Sequence, residues 1–346
     1  MSSTFSNKPR LYEKIVEVSR GYTADKHSQK EFKPYGFVLN YSNSCNFSCK
    51  HCFTKSGSGD ISESKLTMDD LKSLSHQADE LGVYELDIQG GEPLSYPNLF
   101  DVLEALDPGK FYTYLTSNAW LLTQELADKV AAAGVDRITI SIDSFDAKEH
   151  DDLRQQQGSY KKAMESLEYV AKAGMRPYVN ITVGNYNARD KKFLEFCESL
   201  LEKKYGVAYN CAIPVGDWQN NYDVMLTPED TIALEDFRKK HPQIIRDLWN
   251  YFDKNAPLVR GCPIVNLFYV NPLGDVLPCP YVQAKIGNIM EQPLKEILEY
   301  GFTIGYFNTF SEKCLAGEDV DFAKKYLGQK TSVLNPMSAQ EYFNIK

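Results

Sequence analysis

From Phe37 onward the chain alternates between two hydrophobic periods. Segments 37–43, 84–89, 111–117, 137–143, 176–183 and 206–213 are rich in Val, Ile, Tyr and Thr and have the length of strands. Between them the apolar positions shift to helical spacing, with start and stop signals. Thr67 precedes and Gly82 follows MDDLKSLSHQADEL; Thr123 and Gly134 bracket QELADKVAAA; Ser159 and Gly174 bracket YKKAMESLEYVAKA. Such alternation predicts parallel strands joined by right-handed crossovers. Six units predict an α/β fold, a partial (β/α)6 TIM-like barrel rather than a closed eight-fold one.

The strands have two unlike faces. Ile138, Ile140 and Ile142 oppose Thr139, Ser141 and Asp143; Val179, Ile181 and Val183 oppose Tyr178, Asn180 and Thr182; Leu86 and Ile88 oppose Glu85, Asp87 and Gln89. The apolar face is expected to pack on the helices and the polar face to line the barrel. A barrel built only for stability fills its interior with Val, Ile and Leu, so this pattern predicts a cavity for a polar ligand. The chemistry is then expected at the C-terminal strand ends.

Outside the barrel, residues 9–20 read as a short helix and GYTADKHSQKEF as surface connection. LTPEDTIALEDFRKKHPQIIRDLWNYF (226–252) reads as one long helix or two. The chain thus divides into an N-terminal helix and connector (1–36), a barrel (37–216), a helical linker (217–255), a cysteine-bearing region (256–327) and a tail (328–346).

Composition narrows the classes. Hydrophobic residues make up 43% and charged residues 25%, the balance of a globular protein, and a net charge of −9 argues against broad nucleic-acid binding. No apolar run approaches the roughly 20 residues of a membrane span, and the first ten residues lack a signal-peptide core. A cytoplasmic location is therefore expected. There, eight cysteines point to metal or redox chemistry rather than to a disulfide framework.

Cys45, Cys49 and Cys52 fall on one loop after the first strand, in NSCNFSCKHCF. Three cysteines on a four-iron cluster leave one iron open to substrate or cofactor. Spacing alone also allows a zinc site, with His51 as a contributor. The loop resembles the Cys-x3-Cys-x-aromatic-Cys signature of the radical S-adenosylmethionine (SAM) superfamily, with His51 at the aromatic position. Gly90-Gly91-Glu92-Pro93 resembles that family's GGEP motif. Thr116-Ser117-Asn118-Ala119 stands where TNG is common, and Ser141-Ile142-Asp143 is followed by His150-Asp151-x-x-Arg154. Each motif ends a predicted strand.

The resemblance implies a SAM-binding 4Fe–4S cluster on Cys45, Cys49 and Cys52. It implies SAM contacts from Gly90, Gly91, Glu92, Pro93, Asn118, Ser141, Asp143 and Arg154, with Glu92 near the SAM ammonium and Arg154 on its carboxylate. The implied chemistry is reductive cleavage of SAM to a 5′-deoxyadenosyl radical that abstracts a substrate hydrogen atom.

The segment GCPIVNLFYVNPLGDVLPCPYVQAKIGNI has a turn signature at Asn271–Asp275 and predicts a hairpin. It resembles the SPASM/twitch extension that houses auxiliary iron–sulfur clusters. Only Cys262, Cys279 and Cys314 are available there, which implies one auxiliary cluster, preferably 4Fe–4S, rather than two. Cys197 sits on an apolar helix stripe and reads as core. Cys211 ends the sixth strand, where its thiol either donates a hydrogen atom to a substrate radical or completes the auxiliary cluster.

The expected reaction is dehydrogenation, epimerisation or bond formation on a small polar molecule such as a sugar or aminoglycoside-like compound. A peptide substrate is the alternative. Only 36 residues precede the first strand, too few for a leader-peptide-binding domain in cis. The resemblance also implies a reducing partner such as flavodoxin or ferredoxin. The competing class is a non-catalytic iron–sulfur or zinc protein.

Overall fold

The computed structural model describes residues 8–21, 32–57, 64–246, 262–309 and 311–345. The predicted alternation is present. Strands β1 (Gly36–Asn40), β2 (Glu85–Gln89), β3 (Tyr112–Ser117), β4 (Arg137–Ser141), β5 (Arg176–Val183) and β6 (Gly206–Cys211) pair in parallel with their successors. After α1 (Pro9–Gly21), the helices α2 (Met68–Glu80), α3 (Leu99–Leu106), α4 (Gln124–Ala132), α5 (Ala147–Arg154), α6 (Ser159–Lys172) and α7 (Lys191–Glu202) intervene.

Local chemistry fixes the helix ends. Thr67 and Asp70 form a reciprocal capping box at α2, and Gly82 takes a φ of 78° to end it. At α6 the cap differs from the expected Ser159. The carboxylate of Asp151, from α5, accepts from Gly158 N (2.6 Å), Ser159 Oγ (2.8 Å) and Tyr160 N (2.8 Å). A long-range acceptor has replaced the local one, so Ser159 is the first helical residue.

The region expected to be wholly helical breaks in two. Helix α8 (Pro228–Lys240) stops before His241-Pro242, because a residue preceding proline is steered out of the helical region. The chain then forms β7 (Ile245–Arg246), which pairs in parallel with β6. Residues 247–261, including the rest of the linker and the boundary at 256, lie outside the described residues.

The extension is not a separate unit. Its hairpin, β8 (Leu267–Val270) and β9 (Asp275–Leu277), is antiparallel as predicted, and β8 also pairs in parallel with β1. Next come β10 (Ala284–Lys285), β11 (Gly287–Asn288) and α9 (Leu294–Thr303). One ten-stranded sheet results, in the order β11-β9-β8-β1-β2-β3-β4-β5-β6-β7. The expected tail packs on the body. After a short turn of helix at Val320–Phe322, β12 (Met337–Ser338) pairs with β10, and Tyr342 and Phe343 of α10 (Ala339–Phe343) are buried.

The barrel interior is only partly a cavity. At its base the Arg137 guanidinium lies 3.8 Å from the Tyr114 ring centre and 4.6 Å from that of Tyr178, while Tyr114 Oη donates to Glu85. Gly206 is required there, since a Cβ would collide with the Tyr178 ring. One layer up, Thr116 Oγ1 and Gln89 Nε2 both donate to Asp87. The polar face thus fills the lower barrel with itself and opens only at the top.

Candidate active site

Above those layers lies a cavity of about 150 Å³. Cys45, Cys49 and Cys52 line it together with Gly90, Gly91, Glu92, Asn118, Ser141, Arg154 and Cys211. The fold therefore gathers at one place motifs that are dispersed along the barrel sequence from Cys45 to Cys211. Pro93 begins a one-turn helix beside them, and Asp143 stands directly behind Arg154.

The two glycines, besides lining the cavity, make a close backbone approach. A Cβ on Gly90 would strike Asn40, and one on Gly91 would strike the Ser44 carbonyl. Gly91 N donates to Ser42 O (3.0 Å) and Glu92 N to Ser44 O (2.8 Å). The pair lets the backbone after β2 press against the cysteine loop and fix it. Gly216 does the same from the far side, packed on the Cys52 carbonyl.

Glu92 is 1% exposed, and its carboxylate accepts from Leu94 N (3.0 Å), Ser117 Oγ (2.7 Å) and Asn118 N (2.7 Å). Burial raises its pKa against those three donors. It ties the ends of β2 and β3 together at the cavity wall. Asn118 Nδ2 donates to Asn46 Oδ1 (2.8 Å), bracing the cysteine loop as well.

Arg154 is held from behind. Its Nε donates to Asp143 Oδ2 (2.7 Å), while its Nη1 lies 3.8 Å from Cys49 Sγ. Burial alone would raise the Asp143 pKa, but Arg154, with His51 and His150, holds this carboxyl well below the usual range. His150 Nδ1 accepts from Asp143 N (3.2 Å), and burial pushes its pKa down to about 4. His51 Nε2 lies 3.4 Å from Asp143 Oδ2, which leaves its buried Nδ1 without a partner.

These residues fit a cluster with SAM. Burial pushes the Cys45 thiol up to about 12 and raises Cys49, so metal loading at these two releases protons. The oxygens Asn180 Oδ1 and Asn210 Oδ1 are also buried and unpartnered on the cavity wall. Orphan acceptors of this kind call for a ligand rich in N–H and O–H donors, such as an ammonium, an adenine amine and a ribose. Among the described residues, no three His, Cys, Asp or Glu stand together so as to share one metal ion. A cube-shaped cluster makes a different demand, since its ligands bind separate irons.

Cys262, Cys279 and Cys314 line a second, apolar pocket between the hairpin and the segment before Val320. It is narrow, about 10 Å³. Tyr281 lines both pockets, and its ring meets Phe53 of the cysteine loop edge-on at 5.2 Å. Cys211 is buried on the wall of the first, with Arg246 Nη2 3.6 Å from its sulfur. Cys197 is core, as expected.

Gln89, Asn180, Thr182 and Trp218 also line the cavity. Asp87 and Tyr178 belong to the filled layers below, and Tyr209 is 2% exposed beside Arg246. Sequence reading missed Asn210, Tyr281 and Arg246. The first two carried a signal, by adjacency to Cys211 and Cys279-Pro280; Arg246 carried none, since its segment read as helix.

Comparison with known proteins agrees with this geometry. The profile of the Radical SAM superfamily matches residues 39–200, and that of an iron–sulfur cluster-binding domain, SPASM, matches residues 262–314. An AdoMet-dependent heme synthase of Methanosarcina barkeri is 29% identical over 281 residues, covering 74% of this chain and 79% of that one. A PqqA peptide cyclase of Streptomyces rochei is 27% identical over 282 residues, covering 76% and 75%. In fold, the chain is similar to SuiB of Streptococcus suis bound to S-adenosylmethionine, with a TM-score of 0.62 at 16% identity, over 86% of this chain and 70% of that one. The chain belongs to the radical SAM superfamily, as a radical SAM enzyme with a C-terminal SPASM extension.

Proposed function

We propose that this enzyme takes a hydrogen atom from an organic substrate lodged between the Cys45–Cys52 loop and the extension, with a net oxidative outcome. The observation that carries the reading is the cavity wall itself. It bears the cysteine trio on one side and Cys211 and Tyr281 on the other, the latter reaching on to the second cysteine pocket. When bound, the reduced cluster with SAM supplies a 5′-deoxyadenosyl radical, and a single auxiliary cluster on Cys262, Cys279 and Cys314 supplies a one-electron acceptor.

The chain's own residues bind, orient and exclude water. Arg154, its Nε engaged by Asp143, presents the rest of its guanidinium to a carboxylate. Ser141 and Asn118 offer contacts to the ribose. Trp218, packed on His51 at 5.6 Å, closes the cavity on the far side from the glycines.

An orphan amide oxygen of Asn180 or Asn210 that SAM leaves open suits a substrate bringing N–H donors, which supports a peptide. A peptide is also what the PqqA peptide cyclase is named for. The sugar-like small molecule expected from the sequence has no counterpart in the names of these relatives. The hydroxyl-accepting wall of Gln89 and Thr182 is what speaks for it.

The test is anaerobic reconstitution with iron, sulfide, reductant and SAM. Expected are about eight irons per chain and formation of 5′-deoxyadenosine, carrying deuterium from a labelled substrate. Flavodoxin or ferredoxin is expected to replace dithionite as electron source. Absence of both SAM binding and 5′-deoxyadenosine would end the reading.

A further inference from the structure

The sequence left Cys211 between two roles that exclude each other. A hydrogen-atom donor must keep its S–H bond, whereas a thiolate bound to iron has already lost that proton. The surroundings of its sulfur separate the two.

Cys211 stands beside Cys314. Gly317 N donates to Cys314 Sγ (3.1 Å), and a Cβ built on Gly317 would lie 2.6 Å from Cys211 Cβ and 3.5 Å from Cys211 Sγ. Gly317 therefore stands between the two cysteines, where a larger residue would collide with Cys211. Cys211, Cys262 and Cys279 are also the thiols near enough to act on Cys314 electrostatically.

A buried network then links the pair. Arg246, 4% exposed, sends Nη2 to Cys211 Sγ (3.6 Å) and to Glu318 Oε1 (3.0 Å). The other oxygen of Glu318 accepts from Cys314 N (2.8 Å). The network braces the Cys211 sulfur beside Cys314, where the two can share one metal centre. Glu318 lies beyond the span that the extension's profile matches, and Arg246 lies before it.

We propose that Cys211 is the fourth protein ligand of the auxiliary cluster, joining Cys262, Cys279 and Cys314, with Arg246 as a positioning residue that holds its sulfur toward them. On binding, the Cys211 thiol releases its proton to solvent and its sulfur bonds to iron. The barrel strand β6 and the extension would then be joined through the metal, at the wall the substrate meets. The proposal rests on the auxiliary cluster lying in the second cysteine pocket.

The experiment uses the full chain with Cys45, Cys49 and Cys52 changed to Ala, which leaves only the auxiliary site to load. After anaerobic reconstitution, about four irons per chain are expected. The electron paramagnetic resonance spectrum of the reduced cluster should be indifferent to cyanide, because no iron is open. Adding Cys211→Ser should alter that spectrum and make it respond to cyanide, and mild oxidation should now expel one iron to leave a three-iron signal. Arg246→Lys should shift the reduction potential while leaving the iron content unchanged.

A cyanide response already present before Cys211 is changed overturns the proposal, as does an unchanged spectrum in Cys211→Ser. Iron near zero in the triple variant, with its circular dichroism intact, would instead remove the auxiliary cluster itself. The two failures are thereby distinguishable.

Discussion

At Arg154 the structure separates holding from binding. Asp143 occupies the Nε edge of the guanidinium, so the Nη edge alone faces the cavity. Replacing Arg154 by Lys removes the planar fork, and SAM affinity is expected to fall about 10- to 100-fold by equilibrium dialysis. Asp143→Asn should cost less, about 10-fold, since the guanidinium stays but loses its anchor.

The same cluster of side chains sets an acid sensitivity. His150 is buried and neutral, with a pKa lowered from 6.5 to about 4, so the folded state binds fewer protons there than the unfolded chain. Stability must then fall as pH drops from about 6.5 toward 4. Asp143 stays ionised throughout that window and contributes no loss within it. For the cluster-free protein, unfolding free energies from urea titrations at pH 7 and pH 5 should differ by about 2 kcal/mol from this group. His150→Gln should remove that part of the difference.

At the scale of elements, what could be read from sequence was what is local. The caps at Thr67 and Thr123, the terminal glycines and the strand alternation each lie within one turn or one strand, and each is present, unlike the Ser159 cap. The motif residues were legible too, because four of them end predicted strands. What Gly90 and Gly91 are for was not. Their partner is the backbone of Ser42 and Ser44, about 50 residues away in sequence, and only the β1–β2 register brings it there. Gly91→Ala is expected to displace the cysteine loop and lower iron loading from about eight to about four per chain, while the circular dichroism spectrum is retained.

A second non-local contact closes the barrel from below. Lys8 of the N-terminal segment donates to Phe111 O (2.8 Å), Gly134 O (3.0 Å) and Asp136 (2.6 Å), and Lys14 bonds Val83 O, Lys110 O and Asp79. No periodicity announces lysines that are buried this way. Lys8→Ala leaves the Asp136 carboxylate buried and unpaired, and should cost about 3 kcal/mol in chemical denaturation. Lys148→Ala, which removes an exposed pair, should change the midpoint little.

Across the whole molecule, sequence reading placed a boundary where the fold has continuity. It drew a barrel, a linker and an extension, because β1 and β8 are too far apart in the chain for any pattern to pair them. The linker's strand β7 and the paired tail escaped for the same reason: two-residue strands leave no periodic trace. A chain ended at residue 256 would expose the whole β8-facing edge of β1. We expect that truncation to be recovered mainly as aggregate, in contrast to a tethered domain, with solubility and iron content as the measurements.

The pairing of β8 with β1 also decides how a large substrate gets in. Two domains joined by a hinge can part like jaws and admit a guest between them. Here the jaws share a backbone ladder, with Gly36 to Leu39 matched one for one to Leu267 to Val270. Parting them would break that ladder at the strand carrying the cysteine loop. The doorway must therefore be a rim of loops above the strand ends, and the breadth of that rim, rather than any clamshell motion, sets how bulky a guest this enzyme can take.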